Sequence, residues 1–239
     1  MGKNEAKNII SLTDLTLLKQ SEEIRNLKDQ HKKTCEMACR TILQALDAKD
    51  HYTYNHSTRV AWFSLNLGKE MGFKENELYD LEMAGLFHDV GKIGTPDSVL
   101  NKPTRLNEDE FQIMKEHPVK SSEILEGFKD FKTIAKIAKH HHERFDGRGY
   151  PDGLKGDEIP LFSRIILISD TFDAMTSSRP YRKGLDIKIA FDELEEFSGS
   201  QFDPELVKFF IKAMEKEEKK KEETFFLKII DKNFDKKAA

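Results

Sequence analysis

The chain of 239 residues carries 39 basic and 43 acidic side chains, a net charge of −4, with 38% apolar and 34% charged residues. That length allows one substantial core with a short appendage, and the near-balanced charge argues against a broad surface for polymeric nucleic acid. No apolar run approaches the roughly 20 residues that span a bilayer, and the opening MGKNEAKN lacks the apolar stretch of a secretory signal, so the expected location is cytoplasmic without membrane insertion.

Up to about residue 48 the spacing predicts one long helix, because Ile10, Leu17, Ile24, His31, Ala38 and Ala45 recur every seven residues, with Leu27 and Thr34 near the complementary positions. A dimerising or signalling coiled coil satisfies that spacing, and so does a helix packed along the domain. Cys35 and Cys39 share a face of this helix; two thiols are too few for a structural zinc site, and they read as reduced. Asp50 to Asn55 breaks the pattern. A second helix is expected from near His56 to Gly72, with Val60, Trp62, Phe63, Leu65 and Leu67 as its apolar contacts, and a third from Asn76 to Val90.

The third helix leads into LFHDVGKIG, Leu86 to Gly94. Its apolar run, Leu81, Met83, Ala84, Leu86 and Phe87, carries His88 and Asp89 into a buried place, where a charge needs a partner. An adjacent imidazole and carboxylate either form a hydrogen-bonded core pair or bind a divalent metal. Lys92, three residues beyond Asp89, is positioned to meet an anionic substrate or to pair with the carboxylates.

Farther on, Thr95, Pro96 and Asp97 read as a turn, and Asn107 with Glu110 forms a capping-box pattern for a helix through about Lys115. Pro118 suits the first turn of the next helix, which puts His117 at its mouth. Phe131 to His142 is helical by its Ile134, Ile137 and Ala138 spacing, whereas DGRGYPDGLKGDEIP is too broken by glycine and proline for a regular element. Leu161 to Met175 reads as a buried helix, and Asp203-Pro204 starts a last domain helix through about Met214. Lys and Glu around Phe225, Phe226, Leu227, Ile229 and Ile230 suggest a charged helical tail that docks by one face. With no strand pattern, the expected fold is all-α. The expected division is an N-terminal helix (1–40), a bundle domain (41–214) and a charged tail (215–239).

Most histidines fall at the expected helix ends. If the helices form a bundle, His56, His88-Asp89, His117, His141-His142 and Asp170 can converge on one cavity, as bundle proteins build two-metal sites. Their order, together with Gly149-Tyr150-Pro151 and the segments HDVGK, HP, HHERFDGRGYPDGLKG and SDTFDAMTSSRPYR, resembles the HD-GYP family, a branch of the HD superfamily of metal-dependent phosphohydrolases, over about residues 40–214.

The resemblance implies an HD-type helical bundle holding two, sometimes three, divalent ions, iron or manganese, and hydrolysis of cyclic di-GMP to pGpG or on to GMP. By motif, the implied metal ligands are His56, His88, Asp89, His117, His141, His142 and Asp170, with Asp89 as the bridge. Asp89 and Lys92 are the implied catalytic residues, Lys92 contacting the scissile phosphate. Gly149, Tyr150 and Pro151 are implied in substrate and partner recognition, although Tyr150 alternatively pins its loop to the core. Arg179 and Arg182, with Lys183, form a basic patch that suits a dianionic dinucleotide, or are solvated surface charge.

Tyr52 stands where three-metal members carry a glutamate, which favours two ions, and Phe145 replaces a frequent tryptophan. Implied partners are cyclic di-GMP and diguanylate cyclase (GGDEF) proteins, with a homodimer through the N-terminal helix as a further expectation. The alternative function is a metal-containing cyclic di-GMP receptor with little turnover. A third is a phosphohydrolase acting on another nucleotide.

Overall fold

The computed structural model of the chain describes residues 12–49, 53–178 and 183–235. Ile10, Tyr52, Arg179 and Arg182 lie outside these residues, as do the side chains of Cys35, Cys39 and the apolar tail positions from Phe225 onward. The elements are α1 (Leu12–Lys49), α2 (Thr53–Glu70), α3 (Glu75–Phe87), a 3₁₀ turn (Val90–Gly94), α4 (Asp97–Leu100), α5 (Glu108–Met114), α6 (His117–Glu126), α7 (Lys132–Lys139), α8 (Leu161–Thr176), α9 (Ile187–Glu196) and α10 (Pro204–Asp235). Among the described residues the only β pairing is an isolated bridge between Ser198 and Phe202, so the all-α expectation holds.

Two units are distinguished, one up to Ala45 and one from Leu46 onward. The first holds helix α1 as far as Ala45, on which Leu17, Ile24 and Leu27 of the heptad pattern are exposed. The second is the bundle, in which α2 packs against α3, α8 and α10, α3 against α7, and α6 against α7 and the 3₁₀ turn.

Apolar residues at helical spacing explain this packing. Val60 and Leu67 of α2, Leu81 and Phe87 of α3, Ile134 of α7, Ile165, Ile166 and Ile168 of α8, and Phe210 of α10 are all buried. Phe172 joins the layers, with its ring edge-to-face at 5.1 Å from Phe63 and 5.0 Å from Phe210. The capping box at α5 forms as expected: Glu110 N–H donates to Asn107 Oδ1 at 2.9 Å, and Asn107 N–H donates to Glu110 Oε2 at 2.8 Å.

Four boundaries depart from the sequence expectation. α2 begins at Thr53, ahead of His56, and α3 stops at Phe87 instead of Val90. α7 stops at Lys139, leaving His141 and His142 in a turn rather than on the helix. α10 runs on through Met214, because the Glu and Lys residues that follow are good helix formers with no breaker among them. Helix α9 was not anticipated; it starts where Asp186 accepts from Lys188 N–H at 2.9 Å and buries only Ala190 and Leu194, four apart. So small an apolar stripe inside a charged segment gives little periodic signal.

Candidate metal centre

The end of α3 sets the centre. His88 keeps helical dihedrals, Asp89 moves to φ −101° and ψ 4°, and the chain tightens into the 3₁₀ turn. Side chains three apart eclipse in such a turn, and Lys92 Nζ accordingly lies 2.5 Å from Asp89 Oδ2. Gly91 brings this turn against the start of α6: its N–H donates to Ser121 Oγ at 2.8 Å, and a Cβ there would sit 2.1 Å from the His117 carbonyl oxygen. That oxygen and the Ser121 backbone nitrogen, 2.4 Å from the same Cβ, are both α6 backbone atoms, so neither can rotate away. Gly91→Ala is therefore expected to destabilise the protein by about 3 kcal/mol and lower Tm by roughly 10 °C, read by thermal denaturation against wild type; an unchanged Tm would contradict this packing.

Two groups of side chains offer ligand atoms that lie within 4.8 Å of one another: Asp89, His117, His141 and His142 form one, His56, His88 and Asp170 the other. All seven residues expected from the sequence are thus brought together. Asp89 stands between the groups. Its Oδ1 lies 3.1 Å from His117 Nε2 and 3.8 Å from His141 Nε2, whereas its Oδ2 lies 3.3 Å from His88 Nε2 and 3.7 Å from His56 Nε2. Asp170 Oδ1 is 3.1 Å from His56 Nε2. Buried His88 Nε2 and Asp89 Oδ1 have no hydrogen-bond partner, a costly state for polar atoms unless a cation satisfies them. The cluster is able to chelate metal, and its arrangement is that of a binuclear site.

The other nitrogens of these rings explain why Nε2 is the one presented. His88 Nδ1 meets Gly85 O at 2.7 Å, His117 Nδ1 meets Met114 O at 2.7 Å, and His141 Nδ1 meets Ala138 O at 2.6 Å, each three residues back. Donation of Nδ1–H to a carbonyl leaves Nε2 with a lone pair for a cation. His56 instead pairs its Nδ1 with Asp173 Oδ2 at 2.8 Å, and Arg59 grips that carboxylate twice, Nε to Oδ1 at 2.5 Å and Nη2 to Oδ2 at 3.0 Å.

The sequence reading missed Asp173 and Arg59. Their signal was present: both lie three residues from a site residue on a helix, Asp173 after Asp170 and Arg59 after His56.

Charge is distributed unevenly over the cluster. Burial opposes ionisation of Asp89, but the neighbouring Lys92, His88 and His117 outweigh it and hold the carboxyl well below the usual range. Asp170 is likewise held low against burial by His56. Burial pushes His141 well down and His142 down to about 3, with neighbouring imidazoles adding to the effect, so both are neutral at pH 7.

His56 goes the other way: burial opposes its charge, yet hydrogen bonds with Asp170 and Asp173 carry it up to about 10. The sign follows. Without metal His56 holds a proton at pH 7, and a cation must displace it, so its contribution to loading is release of about one proton and a roughly tenfold gain in affinity per pH unit between about pH 7 and 9. Calorimetric metal titration in buffers of different ionisation enthalpy checks this; no proton release would contradict it.

The glycine- and proline-rich loop is fixed beside the cluster. A Cβ on Gly149 would lie 2.3 Å from Arg144 N and 2.5 Å from Glu143 Cα, so only glycine lets the loop lie on the His141-His142 turn. Fully buried Glu143 secures the far side, its Oε1 accepting from Asp152 N–H at 2.7 Å and Gly153 N–H at 3.0 Å. Between these anchors the Tyr150-Pro151 peptide is cis. The Tyr150 ring lies 4.9 Å from that of His142 and 6.4 Å from Phe111. Burial and the Asp89 and Asp170 carboxylates push its hydroxyl up, which keeps it protonated. His140 stays outside both ligand groups, bound to Lys136 O at 2.8 Å and Asp152 Oδ2 at 2.9 Å. Lys183 is exposed.

Comparison with known proteins places these features in a family. A family profile described as "HD domain" matches residues 40–206. A cyclic di-GMP phosphodiesterase of Thermotoga maritima is 43% identical over 171 residues, 71% of this chain and 46% of the relative. A 3′3′-cGAMP-specific phosphodiesterase 3 of Vibrio cholerae is 39% identical over 169 residues, 71% of this chain and 37% of that protein. The chain therefore spans less than half the length of these curated relatives. Among solved structures, an HDG"Y"P protein from Bdellovibrio bacteriovorus superposes with a TM-score of 0.57 at 18% identity, covering 70% of this chain and 53% of the other. The HD domain of the L. monocytogenes phosphodiesterase PgpH gives 0.53 at 20% identity, covering 72% and 93%. At these identities the structural matches establish the bundle fold alone.

Proposed function

Because the chain belongs to the HD-domain family of metal-dependent phosphohydrolases, with the motifs of its HD-GYP branch, we propose that it is a phosphodiesterase that hydrolyses cyclic di-GMP to pGpG or on to GMP. One observation carries this reading: a single carboxylate, Asp89, turns one oxygen to each of two imidazole-rich ligand groups. Two divalent ions, iron or manganese, held by His56, His88, Asp89, His117, His141, His142 and Asp170, would supply an acidified water and neutralisation of phosphoryl charge. The chain's own groups do the rest. Lys92, held at Asp89 and only partly buried, offers an ammonium to a phosphate oxygen. Neutral His141 and His142 leave their nitrogens open without a competing proton. The anchored Gly149-Tyr150-Pro151 segment walls the approach, and the basic Arg179 and Arg182 suit the second phosphate.

The test is turnover of cyclic di-GMP by protein reconstituted anaerobically with iron(II) or manganese(II), with products separated by chromatography. Appearance of pGpG or GMP supports the enzyme. Metal and dinucleotide binding without products would instead favour a receptor.

The exposed heptad residues Leu17, Ile24 and Leu27 support a second part of the reading, self-association through α1. Light scattering should give a dimer for the chain of 239 residues and a monomer after deletion of residues 1 to 35; a monomer in both would remove this part.

A further inference from the structure

Beside the metal centre lies a groove of about 570 Å³, lined along α5 and α6 by Gln112, Lys115, Glu116, Lys120 and Glu123 and walled by Tyr150. This volume falls within the range of small-molecule sites, roughly 300–1,000 Å³. It adjoins the centre twice over. Glu116 immediately precedes the site residue His117, and Tyr150, which lines the groove, packs against the ring of His142 at 4.9 Å.

The chemistry of the lining narrows the occupant. Two lysines are balanced by two glutamates, so the groove has no net charge to draw a phosphate. It offers mixed donors and acceptors next to aromatic surface: Tyr150 forms one wall, and Phe111, 42% exposed, stands 6.4 Å from it. A flat, neutral, polar ring fits that description, because any base can stack on an aromatic side chain. Glu116 and Lys120 supply the discriminating pair, a carboxylate oxygen and an ammonium 2.7 Å apart one helical turn from each other. Guanine presents adjacent N1–H and N2–H donors to a carboxylate and an O6 acceptor to an ammonium; adenine has no N1–H to give.

We propose that this groove seats one guanine base of a cyclic dinucleotide, read by Glu116 and Lys120. The proposal rests on the cyclic-dinucleotide reading above and deepens it. A single guanine seat accepts cyclic di-GMP and 3′3′-cGAMP, each of which has a guanine, and disfavours cyclic di-AMP.

The experiment measures kcat/KM of manganese-loaded wild type, Glu116→Gln and Lys120→Met on cyclic di-GMP and cyclic di-AMP, with bis(p-nitrophenyl) phosphate as a base-free diester for wild type. Wild type should prefer cyclic di-GMP, and each variant should lower that preference roughly tenfold, within the discrimination of a paired base contact. An unchanged ratio in both variants, even with lower rates overall, overturns the guanine seat. Wild type that cleaves the base-free diester but neither dinucleotide overturns the cyclic-dinucleotide reading itself, and the seat falls with it.

Discussion

Asp89→Asn should reduce metal-dependent turnover on the order of 10³-fold or more and leave the protein unable to retain two ions. The carboxylate belongs to one ligand group and faces the other: Oδ1 lies 3.1 Å from His117 Nε2, and Oδ2 lies 3.3 Å from His88 Nε2. Asparagine keeps one carbonyl oxygen, removes the charge and turns an N–H₂ donor toward nitrogens that need their lone pairs for a cation. Metal-assisted charge stabilisation is worth several kcal/mol, and each 1.4 kcal/mol is about a decade in rate. Metal content and turnover of cyclic di-GMP, measured on the same preparation, check the outcome. Retained activity with two ions bound would show that Asp89 is not shared between them.

The second large effect belongs to a residue that touches no cation. Asp173 holds His56 through Nδ1 at 2.8 Å and is itself held by both Arg59 nitrogens and by Ser177 Oγ at 3.0 Å. It fixes the ring so that Nε2 faces Asp170, and it strengthens the imidazole as a donor. Asp173→Asn should weaken metal binding about 10- to 100-fold at the His56, His88 and Asp170 group, since outer partners of this kind typically carry that much affinity. The Asp89, His117, His141 and His142 group should retain its ion, so a competitive chelator titration should show one tight and one weakened site. Equal weakening of both sites would mean that the substitution acts through general destabilisation of α8.

Much of this centre was legible in the sequence, for a physical reason. A histidine or aspartate at the end of an apolar run has few uses other than hydrogen bonding or coordination. His88, Asp89 and Asp170 announced themselves in this way, His56, His117, His141 and His142 were read from their places at helix ends and from the motifs of the family resemblance, and the helices that carry them followed from apolar spacing. The positions at which two of those helices stop were not legible. α3 and α7 both end just before their histidines, and the backbone leaves the helical path at Asp89 and at His140, a tertiary demand that overrides continuing periodicity.

Asp173, Arg59 and Glu143 were passed over for a related reason. Each serves another residue rather than a ligand, and a charged side chain that pairs within the core looks the same in sequence as one that faces water. Only contact separates them: Asp173 and Glu143 are fully buried, while Arg59 is partly exposed beside the carboxylate it grips. The groove next to Tyr150 was hidden likewise, since α5 and α6 contribute its lining from residues that read as an ordinary charged surface.

The most direct test of the shared-carboxylate centre is the metal stoichiometry of anaerobically manganese-loaded protein combined with its electron paramagnetic resonance spectrum. Two ions per chain with an exchange-coupled signal, lost in Asp89→Asn, is the predicted result. One ion per chain, or two that give only uncoupled signals, would contradict a centre built on both oxygens of Asp89.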